Sequence, residues 1–425
     1  MIDRSIPLEV RDICLGSMPE PDVTVLPNGI TLHTFASGNV GVCRLSVVIQ
    51  GGEAEAPSAP LAKLSAQMLT EGAGGMTGAE VAESLDYNGA WITSKSDSHH
   101  RSVTLFSLTR NLKPLLPLIS DMVFMPRFDE GEFEVYRERM AQALDTDLTK
   151  PSYVAAKGAE CAFFGHGHPF SREVSPQDIR RLTTEAAAEF HRTALNGKNI
   201  HVFLAGNFDD RLRQEIADFW GAVDAMGSGH SLLLEPPRIT ADRGRRIHIP
   251  VSGAVQSAIN IMIPAIMRTD PDYEALRITV IGLGGYFGSR LMANIREDKG
   301  MTYGISASLL GYHEAGAVSI TTQADADYVD DVVKEVEREL DRMASGDFST
   351  DELQRLRNYV SLVLASQLDS PFSIIDYHES HITAGTPADY FQRQIDALKN
   401  LDARRIAELS RRYLVPSRMV VVTAG

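Results

Sequence analysis

The sequence predicts an α+β fold of two duplicated domains, each a mostly antiparallel sheet covered by helices on one face. Three observations carry this prediction. The chain has 425 residues, which is too many for one ordinary core and enough for two. Landmarks of the first half recur in the same order in the second half. Within each half, strands come in adjacent pairs and helices in blocks, which is typical of helices layered on an antiparallel sheet.

The repeat is visible as four matched landmarks. The pairs are Gly89 with Gly300, Phe128 with Phe348, Pro151 with Pro371, and Gly206 with Gly425. Their spacing is 211 residues for the first pair and 219 or 220 for the others, so an insertion or deletion separates the halves. Four landmarks in one order are hard to obtain by chance. The sequence therefore predicts an internal duplication.

The chain divides into three predicted parts. Residues 1–225 form an N-terminal repeat, residues 226–245 a linker, and residues 246–425 a C-terminal repeat. The stretch AMGSGHSLLLEPPRITADRGRR is rich in Gly, Pro and charged residues, which favours a linker. Each repeat then has about 200 residues, near the usual size of a domain.

Composition and charge narrow the class of protein. The net charge of -15 weighs against nucleic acid and anionic membranes as partners. The three cysteines, Cys14, Cys43 and Cys161, form no C-x-x-C pair, so we expect neither a disulfide framework nor a cysteine-built zinc site. The start of the chain lacks the apolar core of a signal peptide, and no apolar run reaches membrane-spanning length. We therefore expect a cytoplasmic protein.

Several stretches together resemble one family. They are LPNGITL near the start, PLAKLSAQMLTEG after the first predicted hairpin, FFGHGHPF in a later block, and SRLMANIREDKGMTYGISAS in the second half. With the duplication, they resemble the pitrilysin/insulinase family of inverzincin metallopeptidases, from about Leu26 to the end of the chain. The likeness is closest to the bacterial and processing-peptidase branch, whose subunits assemble into two-subunit clamshells.

The resemblance implies that this chain has lost a zinc site. Active members carry H-x-x-E-H on one helix, where two His bind zinc and the Glu activates water. The matching positions here are Lys63, Ala66 and Gln67, and the third-ligand position, seven residues after Glu138, is Asp145. Lysine places a cation where the metal would sit, Gln is a poor zinc ligand, and Ala removes the base. We expect no zinc and no other cofactor in this chain.

The second half keeps another part of the family's site. Active members complete that site with an Arg and a Tyr, seven residues apart, from the other half of the clamshell. Both remain in REDKGMTY, as Arg296 and Tyr303. A guanidinium and a phenol aimed at a peptide carbonyl stabilise the developing oxyanion. An ordinary helix-surface Arg and a half-buried strand Tyr are the plainer interpretation. A lost metal with a kept Arg/Tyr pair resembles the non-catalytic subunit of two-component enzymes. The resemblance then implies a homologous partner carrying H-x-x-E-H, with a homodimer as the other expected assembly.

The family binds extended peptide at a sheet edge, through backbone hydrogen bonds. The corresponding strand here is GAWITSKSD, and Thr93, Ser94 and Lys95 are the candidate substrate contacts. The family usually has Asn-Ala where this chain has Thr93 and Ser94. This departure weakens the expectation of conventional peptide binding.

Other motifs favour no further site. LGGYFGS, residues 283–289, lacks the Gly-Lys-Ser/Thr of a phosphate loop, and we expect a turn entering the helix that carries Arg296. His378, Glu379 and His381 form HESH, which we interpret as a solvated helix face and not as a metal site. The same expectation of no metal covers two further histidine pairs, His99 with His100 and His166 with His168.

Three functions remain open from the sequence. The first is a non-catalytic subunit of a zinc endopeptidase that supplies Arg296 and Tyr303 to a partner's zinc site. The second is a non-enzymatic peptide-binding or assembly protein on the same scaffold. The third is an active zinc peptidase with a rearranged site, against which the changes at Lys63, Ala66 and Gln67 weigh heavily.

Overall fold

The computed structural model describes residues 15–225 and 244–425. The predicted linker, residues 226–245, lies almost wholly outside this described part, as do Cys14 and the first residues of the chain. Among the described helices, none combines the length and the apolar character that crossing a bilayer requires.

The first half alternates strands with blocks of helices. Its strands are β1 (Asp22–Val25), β2 (Thr31–Ala36), β3 (Val42–Gln50), β4 (Gly72–Ala73), β5 (Met76–Thr77), β6 (Trp91–Ser96), β7 (His100–Leu108) and β8 (Ile200–Gly206). Its α-helices are α1 (Ala59–Gln67), α2 (Gly78–Tyr87), α3 (Thr109–Phe124), α4 (Glu130–Asp147), α5 (Pro151–Phe164), α6 (Pro176–Arg180), α7 (Thr184–Ala194) and α8 (Asp210–Ala222).

The second half follows the same plan. Its strands are β9 (Arg246–Ile249), β10 (Ser257–Ala265), β11 (Thr302–Gly311), β12 (Gly316–Ala324) and β13 (Val420–Ala424). Its α-helices are α9 (Tyr273–Val280), α10 (Val329–Ser345), α11 (Thr350–Ser366), α12 (Pro371–Thr383), α13 (Tyr390–Lys399) and α14 (Ala403–Tyr413). Wider π-type helical turns cover Ile281–Gly285 and Met292–Asp298. Short 3₁₀ turns cover Met68–Thr70, Gly197–Asn199, Ala326–Tyr328 and Pro416–Arg418.

The two main sheets share a five-strand order, to which the first sheet adds β1 at one edge. The first sheet runs β1-β2-β8-β3-β7-β6, and the second runs β9-β13-β10-β12-β11 when read from its equivalent end. In each sheet one pair is parallel, β2 with β8 and β9 with β13, and the other described pairs are antiparallel. The predicted mostly antiparallel α+β class is therefore confirmed, and the halves share one topology.

Matched glycines occupy equivalent backbone positions. Gly89 precedes edge strand β6 with φ +59°, and Gly300 precedes edge strand β11 with φ +64°. Left-handed backbone of this kind costs glycine little and other residues more. The sequence match of these two glycines therefore marks the same tight entry into an edge strand.

One helix of each half packs against the sheet of the other half. On β3, Leu45 and Val47 face the first half's own core, while Val48 faces the opposite side and packs with Ile375 of α12. In the second sheet, Met262 and Val422 on β10 and β13 contact residues of α5. The predicted helix cover on one face is thus incomplete, because a helix from the other half also covers the second face.

The exchanged helices begin at matched prolines. Pro151 and Pro371 stand in the first turn of α5 and α12, where proline suits the helix because no backbone donor is needed. Gly158 lets α5 lie close to the second sheet, since a Cβ there would come within 2.6 Å of Ile249 and 3.1 Å of Val422. The halves are therefore interlocked, not merely joined in sequence.

Candidate functional site

The three positions that the sequence resemblance matches to the family's zinc motif lie on α1, and their side chains have different surroundings. The helix buries Leu61 and Leu64 against α4 and α7. Lys63 faces outward with half of its side chain exposed, and its Nζ lies 3.4 Å from Oε2 of Glu53. Ala66 is 1% exposed and offers only a methyl group. The two outer positions of the motif thus carry a cation and an amide, with no base between them.

Gln67 belongs to a polar contact that reaches toward α4. Its Nε2 donates to Oε1 of Glu71 at 2.8 Å. Burial, reinforced by the neighbouring Glu71 carboxylate, raises the pKa of the Tyr136 hydroxyl to about 12. The amide, the carboxylate and the phenol hold α1 and the following turn against α4. This arrangement satisfies Gln67 without a metal ion.

The third-ligand position is tied to an arginine. Nη2 of Arg180 lies 3.0 Å from Oδ2 of Asp145, and its Nε lies 3.0 Å from Oε2 of Glu138. Hydrogen bonds from Arg180 and then from Gln142 lower the pKa of the Glu138 carboxyl. Both carboxylates of α4 are thus paired with the same guanidinium from α6, whose single charge offsets only part of theirs.

These residues do not fit a zinc ion. A tetrahedral zinc site needs thiolate, imidazole or carboxylate donors converging on one point. In the described residues, no hydrogen bond or ion pair joins the α1 positions to Asp145, and none of them belongs to a group of three closely placed ligand atoms. The donor set of Lys63, Ala66 and Gln67 supplies no zinc ligand of the ordinary kinds.

Among the described residues, the side chains of Arg296 and Tyr303 make no ion pair and no hydrogen bond. Arg296 lies in the wide turn Met292–Asp298, half-buried, with its guanidinium over the Phe287 ring at 4.9 Å from the centroid. Tyr303 follows at the start of edge strand β11 and is 90% exposed. Within the described part of the chain, neither side chain has a polar partner, so both keep their donors for a ligand. Of the turn predicted at residues 283–289, residues 286–289 form a turn, while residues 283–285 belong to the π-type helical turn Ile281–Gly285.

Tyr303 borders a cavity of about 670 Å³ between the halves. Ser152 and Ala155 of α5 line one side, and Asn260 and Met292 of the second half line another. Arg296 is not among the lining residues, and among the hydrogen bonds, ion pairs and ring contacts of the described residues none joins it to Tyr303. The structure thus shows no direct interaction between the two predicted site residues.

The predicted peptide-binding strand is the open edge of the first sheet. Thr93, Ser94 and Lys95 lie in β6, which pairs with β7 on one side only within the described residues. Thr93 and Lys95 are exposed and Ser94 is partly buried, as expected where successive side chains alternate. An open edge offers unpaired backbone donors and acceptors to an added strand.

A polar cavity between the halves was not anticipated from the sequence. It measures about 510 Å³, and Lys95 lies at its rim with Arg44, His99 and His313. His99 Nδ1 contacts Oε1 of Glu55 at 2.8 Å. Burial opposes the charge of His99, but the Glu55 carboxylate outweighs it and raises the pKa of this imidazole. Only folding brings these distant residues together, so no spacing in the sequence signals the cavity.

The HESH helix face is buried, and our interpretation of it as solvated was wrong. His378, Glu379 and His381 are 2%, 8% and 6% exposed. His378 Nδ1 faces His381 Nε2 at 3.2 Å, and Arg44 Nη2 donates to Glu379 Oε2 at 2.8 Å. The error has a clear cause, because α12 packs against the sheet of the other half, a contact that its own sequence pattern does not reveal.

Comparisons with known proteins find several sequences that are similar to this chain. A family model described as the peptidase M16 inactive domain matches residues 181–360. An uncharacterized zinc protease of Mycobacterium leprae is 23% identical over 308 residues, 70% of this chain and 67% of that protein. Subunit 1 of the mitochondrial cytochrome b-c1 complex of Bos taurus is 21% identical over 415 residues, 94% of this chain and 85% of that one.

A solved structure shows the same fold. The peptidase M16 inactive domain from Pseudomonas fluorescens superposes with a TM-score of 0.87 at 21% identity, covering 95% of this chain and 98% of that chain. The match extends across both halves. These likenesses agree with the resemblance to pitrilysin/insulinase metallopeptidases: residues 181–360 match a peptidase M16 inactive-domain model, and most of the chain is similar to a named zinc protease and to a solved M16 fold.

Proposed function

We propose that this protein is the non-catalytic subunit of a two-component zinc endopeptidase. It holds extended peptide along β6 and presents Arg296 and Tyr303 to a zinc site on a homologous partner subunit. The observation that carries the proposal is that both side chains lack polar partners in the described residues, although the chain is strongly acidic.

The two side chains suit the transition state of peptide hydrolysis. Attack on a peptide carbonyl develops negative charge on its oxygen, and pre-placed donors stabilise that charge most in the transition state. Arg296 offers a forked cation, and Tyr303 offers a neutral hydroxyl. Zinc, the general base and the attacking water come from the partner, because α1 of this chain lacks those donors.

The first experiment identifies the partner and then tests the pair. A tagged copy is isolated from its native cell, and co-purifying chains are read by mass spectrometry. Recovery of a similar-sized chain carrying H-x-x-E-H, near one-to-one, is expected. The reconstituted pair should cleave unstructured peptides, and Arg296→Ala or Tyr303→Phe should lower kcat by about 100-fold, as loss of an oxyanion donor does.

Matched control variants distinguish a catalytic role of Arg296 and Tyr303 from a general loss of structure. Arg338→Ala removes another exposed arginine, and Tyr87→Phe changes a tyrosine that is 91% exposed. Both should leave cleavage unchanged. Equal activity of the Arg296 and Tyr303 variants with these controls would overturn the split-enzyme proposal, as would recovery of this chain alone as a homodimer.

The second candidate function is peptide binding or assembly without cleavage. The likeness to a subunit of a respiratory complex supports it. Binding of a labelled unstructured peptide tests it through Thr93→Pro and Ser94→Pro. In an antiparallel edge strand one of two successive amides faces outward, so one variant should keep the fold and lose peptide binding. Unchanged binding in both variants would exclude β6 as the peptide site.

We also propose that residues 1–225 and 246–425 are duplicated repeats joined by a linker at 226–245. The shared strand order and the matched glycines support the duplication. Limited proteolysis should cut first in the Gly- and Pro-rich linker. The two fragments should stay associated on gel filtration, because α5 and α12 each pack on the other fragment. Separation of the fragments would contradict the interlocked arrangement.

A further inference from the structure

Three metal-ligating side chains converge at the end of α5. Cys161 lies in the last turn of that helix, His166 in the loop that follows, and Glu173 seven residues further. Their ligand atoms all lie within 4.8 Å of one another. His166 Nδ1 is 3.1 Å from Oε2 of Glu173. The group lies apart from the degenerate motif on α1 and from Arg296 and Tyr303.

The loop is folded back onto the helix by its own hydrogen bonds. Gly165 and Gly167 have φ +92° and +87°, which allows the tight turn that carries His166. Ser171 Oγ donates to the Gly165 carbonyl at 2.6 Å, and Cys161 Sγ donates to the Ser171 carbonyl at 3.2 Å. These hydrogen bonds fix the loop against the end of α5. The three ligand atoms are therefore already close together in the folded chain.

Aromatic packing anchors the same loop to the second half. Phe170 stacks on Tyr312 with ring centroids 4.0 Å apart, and Phe164 lies edge-on to both rings. His168 stacks on Phe164, and its Nδ1 accepts from the Phe170 amide at 3.2 Å. His168 is therefore committed to the fold, in agreement with its expected structural role.

We propose that Cys161 Sγ, His166 Nδ1 and a Glu173 oxygen form a zinc-binding site. Thiolate, imidazole and carboxylate are the donors that zinc accepts in proteins. With metal–ligand bonds of about 2.1 Å, ligand atoms of a tetrahedral site lie about 3.4 Å apart. The His166–Glu173 separation of 3.1 Å is close to this value, and all three ligand atoms lie within 4.8 Å of one another. His166 and Glu173 have side chains 78% and 66% exposed, so water can reach the fourth position.

This proposal revises the expectation of no metal at His166. That expectation rested on the match of GHGHPF to a stretch that is structural in the resembling family. Folding brings a buried cysteine and a carboxylate to the same point. Neither residue belongs to a recognised metal motif in the sequence.

Binding must release one proton. A free cysteine has a pKa of about 8.5, so a thiol predominates at neutral pH and must lose its proton to bind zinc as a thiolate. In the reaction the S–H bond breaks, the sulfur forms a bond to Zn²⁺, and the proton goes to buffer. Zinc affinity should therefore rise with pH through the neutral range.

The test titrates the full-length, chelator-stripped protein with Zn²⁺ against a chromophoric competitor, and with Co²⁺ as a spectroscopic probe. One zinc ion per chain is expected, with a thiolate-to-cobalt charge-transfer band and release of a proton. Cys161→Ser, His166→Ala and Glu173→Gln should each weaken zinc binding at least about tenfold, since even outer-shell partners of metal sites are worth that much.

Controls use neighbouring or equivalent groups outside the cluster. Cys43→Ser changes the other described buried cysteine, and Glu160→Gln changes a carboxylate of α5 that pairs with Lys157. Both should bind zinc as the parent does. His166 and Glu173 are exposed, so their variants test the site even if Cys161→Ser fails to fold. No stoichiometric binding, or binding unaffected by the three variants, would overturn the proposal.

Discussion

Nη2 of Arg44 on β3 lies 2.8 Å from Oε2 of Glu379 on α12 and 2.7 Å from Oδ1 of Asp376 on the same helix. Arg44 and Glu379 are both almost fully buried. The ion pair joins residues from opposite halves, on the sheet face that α12 covers. It is therefore a direct polar contact across the interface between α12 and the first sheet.

Removing this ion pair should destabilise the protein strongly. Arg44→Met leaves Glu379 buried without its cation, and breaking a buried pair in this way costs about 3 kcal/mol. Chemical denaturation measures the loss. Arg213→Met is the matched control, since Arg213 and Asp22 form an exposed pair worth less than about 1 kcal/mol.

A double variant distinguishes the stability contributed by the ion pair from that contributed by side-chain packing. Arg44→Met combined with Glu379→Leu removes both charges and should recover part of the lost stability. Equal stability of Arg44→Met and Arg213→Met would show that the buried pair does not hold the halves together.

The close approach of α5 to the second sheet gives another prediction. Gly158→Leu places a side chain where Ile249 and Val422 already lie, and such overpacking costs about 1–3 kcal/mol. Thermal unfolding should show a clear loss. Lys157→Leu, on the same helix, should have little effect because its side chain pairs only with nearby Glu160. Tolerance of leucine at Gly158 would mean that α5 sits further from the sheet.

Buried neutral histidines should make the protein sensitive to acid. Burial, and then the Arg101 charge, lowers the pKa of His191 to about 3. His33 is lowered to about 3 and His381 to about 4, in both cases chiefly by burial. The unfolded values lie near 6.5, so below that pH the unfolded chain binds protons that the folded chain does not. Stability is thus fully present above about pH 6.5 and falls as the pH drops.

The pH dependence can be assigned by substitution. His191→Gln should lower stability at pH 7 but reduce the slope between pH 6.5 and 4 by about 1 kcal/mol per pH unit. His248→Gln, at an exposed position on β9, should leave the slope unchanged. Denaturation midpoints across this pH range give the measurement. An unaltered slope in His191→Gln would show that His191 takes up no proton on unfolding.

The degenerate site should regain zinc when its donors are restored. The restored chain carries four substitutions in a Cys161→Ser background: Lys63→His, Ala66→Glu, Gln67→His and Asp145→Glu. Binding should be weak, because Arg180 holds position 145 in an ion pair. Adding Arg180→Gln should strengthen it, as measured by zinc competition. The same chain without Gln67→His is the control.

No zinc binding in the chain that also carries Arg180→Gln would count against the alignment of Lys63, Ala66, Gln67 and Asp145 with the zinc motif. Binding equal to that of the control would count against it too, since two histidines on one helix face are needed for the site.

Much of the fold followed from local patterns. Gly89 and Gly300 are matched in sequence and share a left-handed backbone before an edge strand, a constraint that acts within a few residues. The prolines of α5 and α12 are likewise local signals of helix starts. The place of α12 did not follow, because the burial of His378 and His381 depends on a sheet formed by the other half of the chain.

The sequence by itself determined the α+β class, the repeated order of elements, and the absence of His and Glu at Lys63, Ala66 and Gln67. These features depend on residue type and on spacing along the chain. Only the tertiary structure decided that the halves exchange α5 and α12, that Arg44 meets Glu379, and that Cys161 meets Glu173. Those contacts depend on long-range packing and burial, which bring together residues whose separation in sequence carries no periodic signal.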